Sequence, residues 1–242
     1  FRTILNLGAL RLKKIILLVL SILFLNINSA FAAEGYFTSA KEIAKIQKQV
    51  STVGYKLLNA NGIEKRVVFY YKNDSTVNAF TYHSDREVVI CRGLYIMLDD
   101  EAQLAAVLGH EISHGMDSYN GIFRGAFSYW NNFFTPKKYE YKADKRAVDY
   151  MVNAGYNPVA MIVMMNKSFG QRRYDWRSTH PLTSRRMMEV YEYIYKKYPE
   201  YLVNNPYKTN IYYQNFLLTS KENRAKFQEK VKTNPTKKVN YL

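Results

Sequence analysis

The apolar positions of this chain fall into patterns that change abruptly along its length. Ile43, Ile46, Val50, Val53 and Leu57 recur at helical spacing, which predicts one amphipathic helix from Thr38 to about Asn59, opened by Thr38 or Ser39 and closed at Asn61-Gly62. The period then shortens. Arg66 to Tyr71, Val77 to Tyr82 and Glu87 to Cys91 are rich in valine and aromatic residues and are divided by polar breaks, so a small antiparallel or mixed sheet is expected. From Asp100 the helical period returns. Asp100-Glu101-Ala102-Gln103 reads as a capping box, Leu104, Leu108 and Ile112 as a core stripe, and Gly115 as the stop.

Between Asp117 and Thr135 the chain is aromatic and loop-like, and it reads equally as packing over the core or as an apolar wall beside a site. Thr135-Pro136 opens a helix expected to reach Gly155, Asn157-Pro158 one ending near Gly170, and His180-Pro181 one running to about Tyr198. In the last forty or so residues, rich in Lys, Asn and Tyr, a single helix is expected around Ser220 to Val231. The fold class is therefore α+β and mainly helical. At 242 residues the chain suits one good core rather than two.

The N-terminus carries a different signal. Arg11, Lys13 and Lys14 precede an apolar run from Ile15 to Leu25, and Ala30-Phe31-Ala32 follows with small residues where a signal peptidase reads. Residues 1–33 are accordingly expected to be a secretory signal peptide, since the run is short for a membrane anchor. Removing them takes away Arg2, Arg11, Lys13 and Lys14, which lowers the formal charge from +15 to +11. A product exported to the periplasm or beyond, soluble and with no transmembrane span once mature, is the expectation.

Charge changes the picture less than its size suggests. The basic residues are scattered, and no zinc-finger, helix-turn-helix or RNA-binding signature accompanies them, so a nucleic-acid partner is not expected. The single cysteine, Cys91, cannot form an internal disulfide and falls in an apolar strand. His83 has no motif position and reads as a surface or loop histidine.

The chemistry lies in Gly109-His110-Glu111-Ile112-Ser113-His114. Two histidines four residues apart on a helix share a face and can reach one metal ion, while Glu111 between them can address a water on that metal without binding it. A catalytic zinc needs a third protein ligand. Glu140 in Tyr139-Glu140-Tyr141-Lys142-Ala143-Asp144 is the candidate, with Asp144 on the same face placed to hold the outer nitrogen of a ligand histidine. On spacing alone, the commoner meaning of such a pair flanked by lysines is a solvated acidic face.

These segments taken together, His110-Glu111-Ile112-Ser113-His114, then Glu140-Tyr141-Lys142-Ala143-Asp144 running into Ala154-Gly155-Tyr156-Asn157-Pro158, then Ser178-Thr179-His180-Pro181 with Arg186 beyond, resemble the zinc metallopeptidase family of CAAX prenyl proteases and HtpX-like heat-shock proteases. The soluble periplasmic branch that serves outer-membrane protein quality control is the nearest in character. Upstream, Asn78-Ala79-Phe80 and Arg92-Gly93-Leu94 also match, so the resemblance covers roughly residues 40 to 195. It implies a zincin-like fold with the small sheet packed on the HExxH helix and one zinc per chain. It implies His110, His114 and Glu140 as ligands, Glu111 as catalytic glutamate, Asp144 as the carboxylate behind them, and His180 as a histidine that restrains or assists catalysis. Asn78, Ala79 and Phe80 become the edge strand on which an extended substrate lies.

Only 25 residues separate His114 from Glu140, where many relatives carry a longer apolar insertion. The domain reading is a metallopeptidase domain over 34–200 and a basic C-terminal extension over 201–242. The expected activity is cleavage of unfolded or misassembled envelope proteins, with envelope assembly machinery as a partner. The rival expectation is a chaperone-like assembly factor in which proteolysis is secondary or held back by His180.

Overall fold

The computed structural model describes residues 39–82, 86–119, 137–169 and 183–233. The chain divides into a short unit, Phe1–Ile43, and a main unit, Ala44–Leu242. Of the first, only the opening turn of a helix is described, where the Glu42 N–H donates to Ser39 Oγ at 3.2 Å as the expected cap. That helix is α1, Ala40–Ala60. Three strands follow, β1 (Val68–Lys72), β2 (Ala79–Tyr82) and β3 (Glu87–Cys91), in the order β1-β3-β2. β1 runs parallel to β3 and β2 antiparallel to it, so the sheet is mixed and β2 is an edge.

The other edge, at β1, is covered from within the main unit. Gln47 Nε2 donates to the Phe69 carbonyl at 2.7 Å, and the Tyr71 N–H donates to Gln47 Oε1 at 2.8 Å. One side-chain amide thus satisfies two of the main-chain groups that a further strand would have used. α1 comes this close because Gly54 has no side chain; a Cβ there would lie 2.6 Å from the Phe69 ring.

After a short helix α2 (Arg92–Tyr95) comes α3 (Glu101–Tyr119), which carries the HExxH segment. The Gln103 N–H donates to Asp100 Oδ1 at 2.8 Å, while Gln103 Oε1 accepts from the Asp99 N–H at 3.2 Å, so the capping box closes one residue earlier than its standard form. Gly115 does not stop this helix. The chain stays helical to Tyr119 because buried Asp117 is gripped from the next helix by Arg146 at 2.6 Å and Lys142 at 2.9 Å, tertiary contacts that outweigh the weak helix preference of glycine.

α4 (Lys137–Asn153) packs on α3 where Gly109 meets Ala147, a Cβ built on Gly109 lying 3.4 Å from the Ala147 Cα. It ends as expected at Gly155. With φ at +77°, Gly155 lets its own N–H reach the Val152 carbonyl and the Tyr156 N–H reach that of Met151, the two bonds of a Schellman cap. α5 (Val159–Ser168) is buried on every side from Val159 to Met165 and forms the centre of the helical layer, touching α3 and α6 (Thr183–Lys197). Asn157 opens it by accepting from the Val159 N–H at 2.9 Å.

The C-terminal stretch holds more structure than its pattern predicts. Three helices, α7 (Glu200–Val203), α8 (Ile211–Thr219) and α9 (Lys221–Thr233), replace the single one expected. α8 was hidden because Ile211-Tyr212-Tyr213-Gln214-Asn215-Phe216 is apolar on more than one face, yet Asn210 caps it and Tyr213 and Phe216 are buried. Phe227 of α9 is fully buried as well. Among the described residues, no helix is long and apolar enough to cross a membrane. The signal-peptide, aromatic-loop, His83 and His180 expectations fall outside the described residues.

Candidate metal centre

Helical geometry puts His110 and His114 one turn apart on α3, and the close crossing at Gly109 and Ala147 brings α4 near enough for Glu140 to meet them. The two Nε2 atoms are 3.0 Å apart, and Glu140 oxygens lie 3.6 Å from that of His110 and 3.3 Å from that of His114. One ligand atom from each of the three residues lies within 4.8 Å of the other two. Glu140 is buried, at 2 % exposure, so the pair of acidic residues on α4 turns inward rather than forming a solvated face.

Behind them, Asp144 is fully buried and 2.8 Å from His110 Nδ1. Burial pushes its carboxyl upward, but the charge and hydrogen bonds of Arg186 outweigh burial and hold it below the usual carboxylate range. An ionised carboxylate only accepts, so His110 donates to it from Nδ1, which turns Nε2 towards His114 and Glu140. Arg186 grips Asp144 through Nε at 2.8 Å and Nη2 at 2.6 Å, and its Nη1 is 3.3 Å from Glu140. Burial disfavours its charge, yet Asp144 first and then Glu140 and Glu111 hold it charged, above the ordinary guanidinium range.

His114 reports the field at the centre. Burial lowers its pKa, but the hydrogen bond to Glu140 and the charges of Glu111, Glu140 and Asp144 more than reverse this and raise it above the ordinary value. The pocket favours a cation, and two imidazole nitrogens with one carboxylate oxygen form a donor set that suits zinc. A zinc held by three such protein ligands would keep its fourth position for water.

Glu111 itself is met from the sheet. Thr81 Oγ1 lies 2.9 Å from Glu111 Oε2 and 3.0 Å from the Glu111 carbonyl oxygen. β2 therefore crosses directly over the HExxH segment. Thr81 faces α3, so Phe80 and Tyr82 point to the other side of the strand, where their rings meet with centroids 4.9 Å apart. Asn78 lies just before β2, and its carbonyl accepts from the Cys91 N–H at 3.0 Å. By the alternation of an antiparallel ladder, Ala79 and Thr81 turn their main-chain groups away from β3, towards the edge that no described strand pairs.

Two contributors escaped the sequence. Arg186 drew notice only as part of the family pattern, although a cation in line with buried Val190 and Ile194 of α6 is itself a signal of a buried pair. Thr81 gave no signal, because a threonine in a strand is ordinary.

An HExxH helix under the edge strand of a small mixed sheet, with a carboxylate brought in from a second helix, defines a mainly helical, zincin-like metallopeptidase fold. The chain belongs to peptidase family M48, whose family model matches residues 42–123 and 131–194. Among individual proteins it is similar to the beta-barrel assembly-enhancing protease of Yersinia pestis, 26% identical over 188 residues, and to that of Escherichia coli strain K12, 24% identical over 188 residues. Each match covers 60% of this chain and 38% of the relative, so the chain spans under two fifths of those proteins.

Proposed function

We propose that the protein is a zinc metalloendopeptidase, exported by the signal in residues 1–33, that cleaves unfolded or misassembled envelope proteins. The observation that carries this reading is the convergence of His110, His114 and Glu140 within 4.8 Å, beside Glu111. These three residues would hold the ion. Bound there, zinc supplies Lewis-acid polarisation of the scissile carbonyl and a water whose pKa is lowered to about 7.

Everything else is done by the chain's own groups. Asp144 keeps His110 in the tautomer that offers Nε2, and Arg186 keeps Asp144 ionised. The main-chain groups of Ala79 and Thr81 pair with an extended substrate, with Asn78 and Phe80 continuing the strand on either side of Ala79. The carboxylate of Glu111 takes a proton from the attacking water and delivers it to the leaving amine. His180 is assigned the restraining or assisting role of its family counterpart. Residues 34–200 form the catalytic domain, and 201–242 a basic extension whose helices α8 and α9 pack on α5 and α6. The choice of envelope substrates, and of assembly machinery as a partner, draws on the likeness to proteases named for enhancing β-barrel assembly.

Glu111→Gln tests the mechanism. It is expected to keep one zinc per chain while cleavage of denatured casein falls by about 10²- to 10⁴-fold. Retained cleavage would overturn the role of Glu111, and a wild-type protein that binds denatured substrate without cutting it would favour the assembly-factor reading.

A further inference from the structure

The general base of a hydrolase must point at its water, and a glutamate has three rotatable bonds with which to miss. In this protein the Glu111 carboxylate is held by Thr81, whose hydroxyl carries one proton and faces two acceptors of the same residue, Oε2 at 2.9 Å and the main-chain oxygen at 3.0 Å. Meeting both fixes the side chain against its own helix. Threonine is suited to this because its β-branched side chain is stiff about χ1 and favours a strand. Thr81 is also one of the two β2 residues whose main chain faces the edge that no described strand pairs.

We propose that Thr81 is a positioning residue that sets the orientation of the Glu111 carboxylate and ties it to the strand on which substrate is laid. The proposal rests on the peptidase reading above. A hydroxyl accepts as readily as it donates, so the contact outlasts proton uptake: the Glu111 carboxyl then donates to Thr81 Oγ1 while the hydroxyl donates to the Glu111 carbonyl. Substrate seating and the aim of the base would share a single residue.

Thr81→Val keeps the shape and the strand preference and loses the hydroxyl; Thr81→Ser keeps the hydroxyl. In the full zinc-loaded chain, kcat on denatured casein is expected to fall about 10- to 100-fold in the valine variant, the range for a hydrogen bond to a charged group. KM, zinc content and melting temperature should stay at wild-type values, and the serine variant should regain most of kcat. Crystal structures should show the Glu111 carboxylate displaced in the valine variant alone. Unchanged kcat in the valine variant, a serine variant as slow as valine, or zinc content falling with kcat would overturn the proposal. Should the wild type bind zinc yet cleave nothing, the peptidase reading fails by itself. The crystal structures then decide this one, since an undisplaced Glu111 overturns it and a displaced Glu111 sustains it.

Discussion

Substituting Arg186 by methionine keeps the aliphatic stem and removes the guanidinium fork that grips Asp144 at 2.6 and 2.8 Å. Asp144 is then left fully buried against His110, where before the arginine, itself 11% exposed, neutralised it. Removing one partner of a buried pair costs about 3–5 kcal/mol. With a urea slope of about 2 kcal/mol per molar, the unfolding midpoint of the metal-free protein should fall by about 2 M. The loss depends on pH, and its sign is fixed. In the wild type Asp144 titrates below its unfolded value, so its contribution is present above that value and disappears as pH falls through the lower folded pKa. In the variant burial dominates and the folded pKa rises above the unfolded one, so the variant loses stability as pH rises through that window. The gap between the two proteins should therefore be widest near neutral pH, narrow towards about pH 4 as the variant's carboxyl protonates, and shrink further below it as the wild-type carboxyl does. Urea titrations in chelator across that range measure it. A gap below about 1 kcal/mol at neutral pH, or one that does not narrow on acidification, would refute the reasoning.

Two further outcomes follow from packing around the same helices. Arg146→Met leaves buried Asp117 with Lys142 as its ion-pair partner among the described residues and should cost about 3 kcal/mol, read as a melting temperature lower by about 9 °C. Two glycines should part company: Gly155→Ala, at φ +77° with nothing within 4 Å of the new Cβ, should cost about 1 kcal/mol, the conformational penalty alone. Gly93→Ala sets a Cβ 2.1 Å from the Ser75 carbonyl oxygen and should cost several times as much in the same urea titration.

How far the sequence could be read varies with the kind of signal each residue sends. Period and punctuation located α1, the three strands, α3 and the glycine end of α4 to within a few residues, because those features are local. The HExxH spacing likewise brings His110 and His114 together by helix geometry alone. What the pattern missed depends on contacts between distant segments. Gly115 looked like a stop until Asp117 found its partners on α4, and α8 lacked a clean stripe because both of its faces are apolar. Glu140 and Asp144 were ambiguous on spacing, since whether an acidic pair turns inward is decided by Arg186, forty-two residues from Asp144. Thr81 and Glu111 are thirty residues apart, and nothing local to either announces the other.

The amide of Gln47 leaves the sheet in an unusual chemical condition. A free-standing sheet has two edges and behaves as a bifunctional monomer, able to grow from both ends into a fibre. Among the described residues the β1 edge is partly capped by a counterfeit peptide group, and β2 is the edge left to pair. In the terms of polymer chemistry the sheet is monofunctional. In the proposed reading an extended peptide that adds there finds one landing site, the strand whose threonine contacts Glu111.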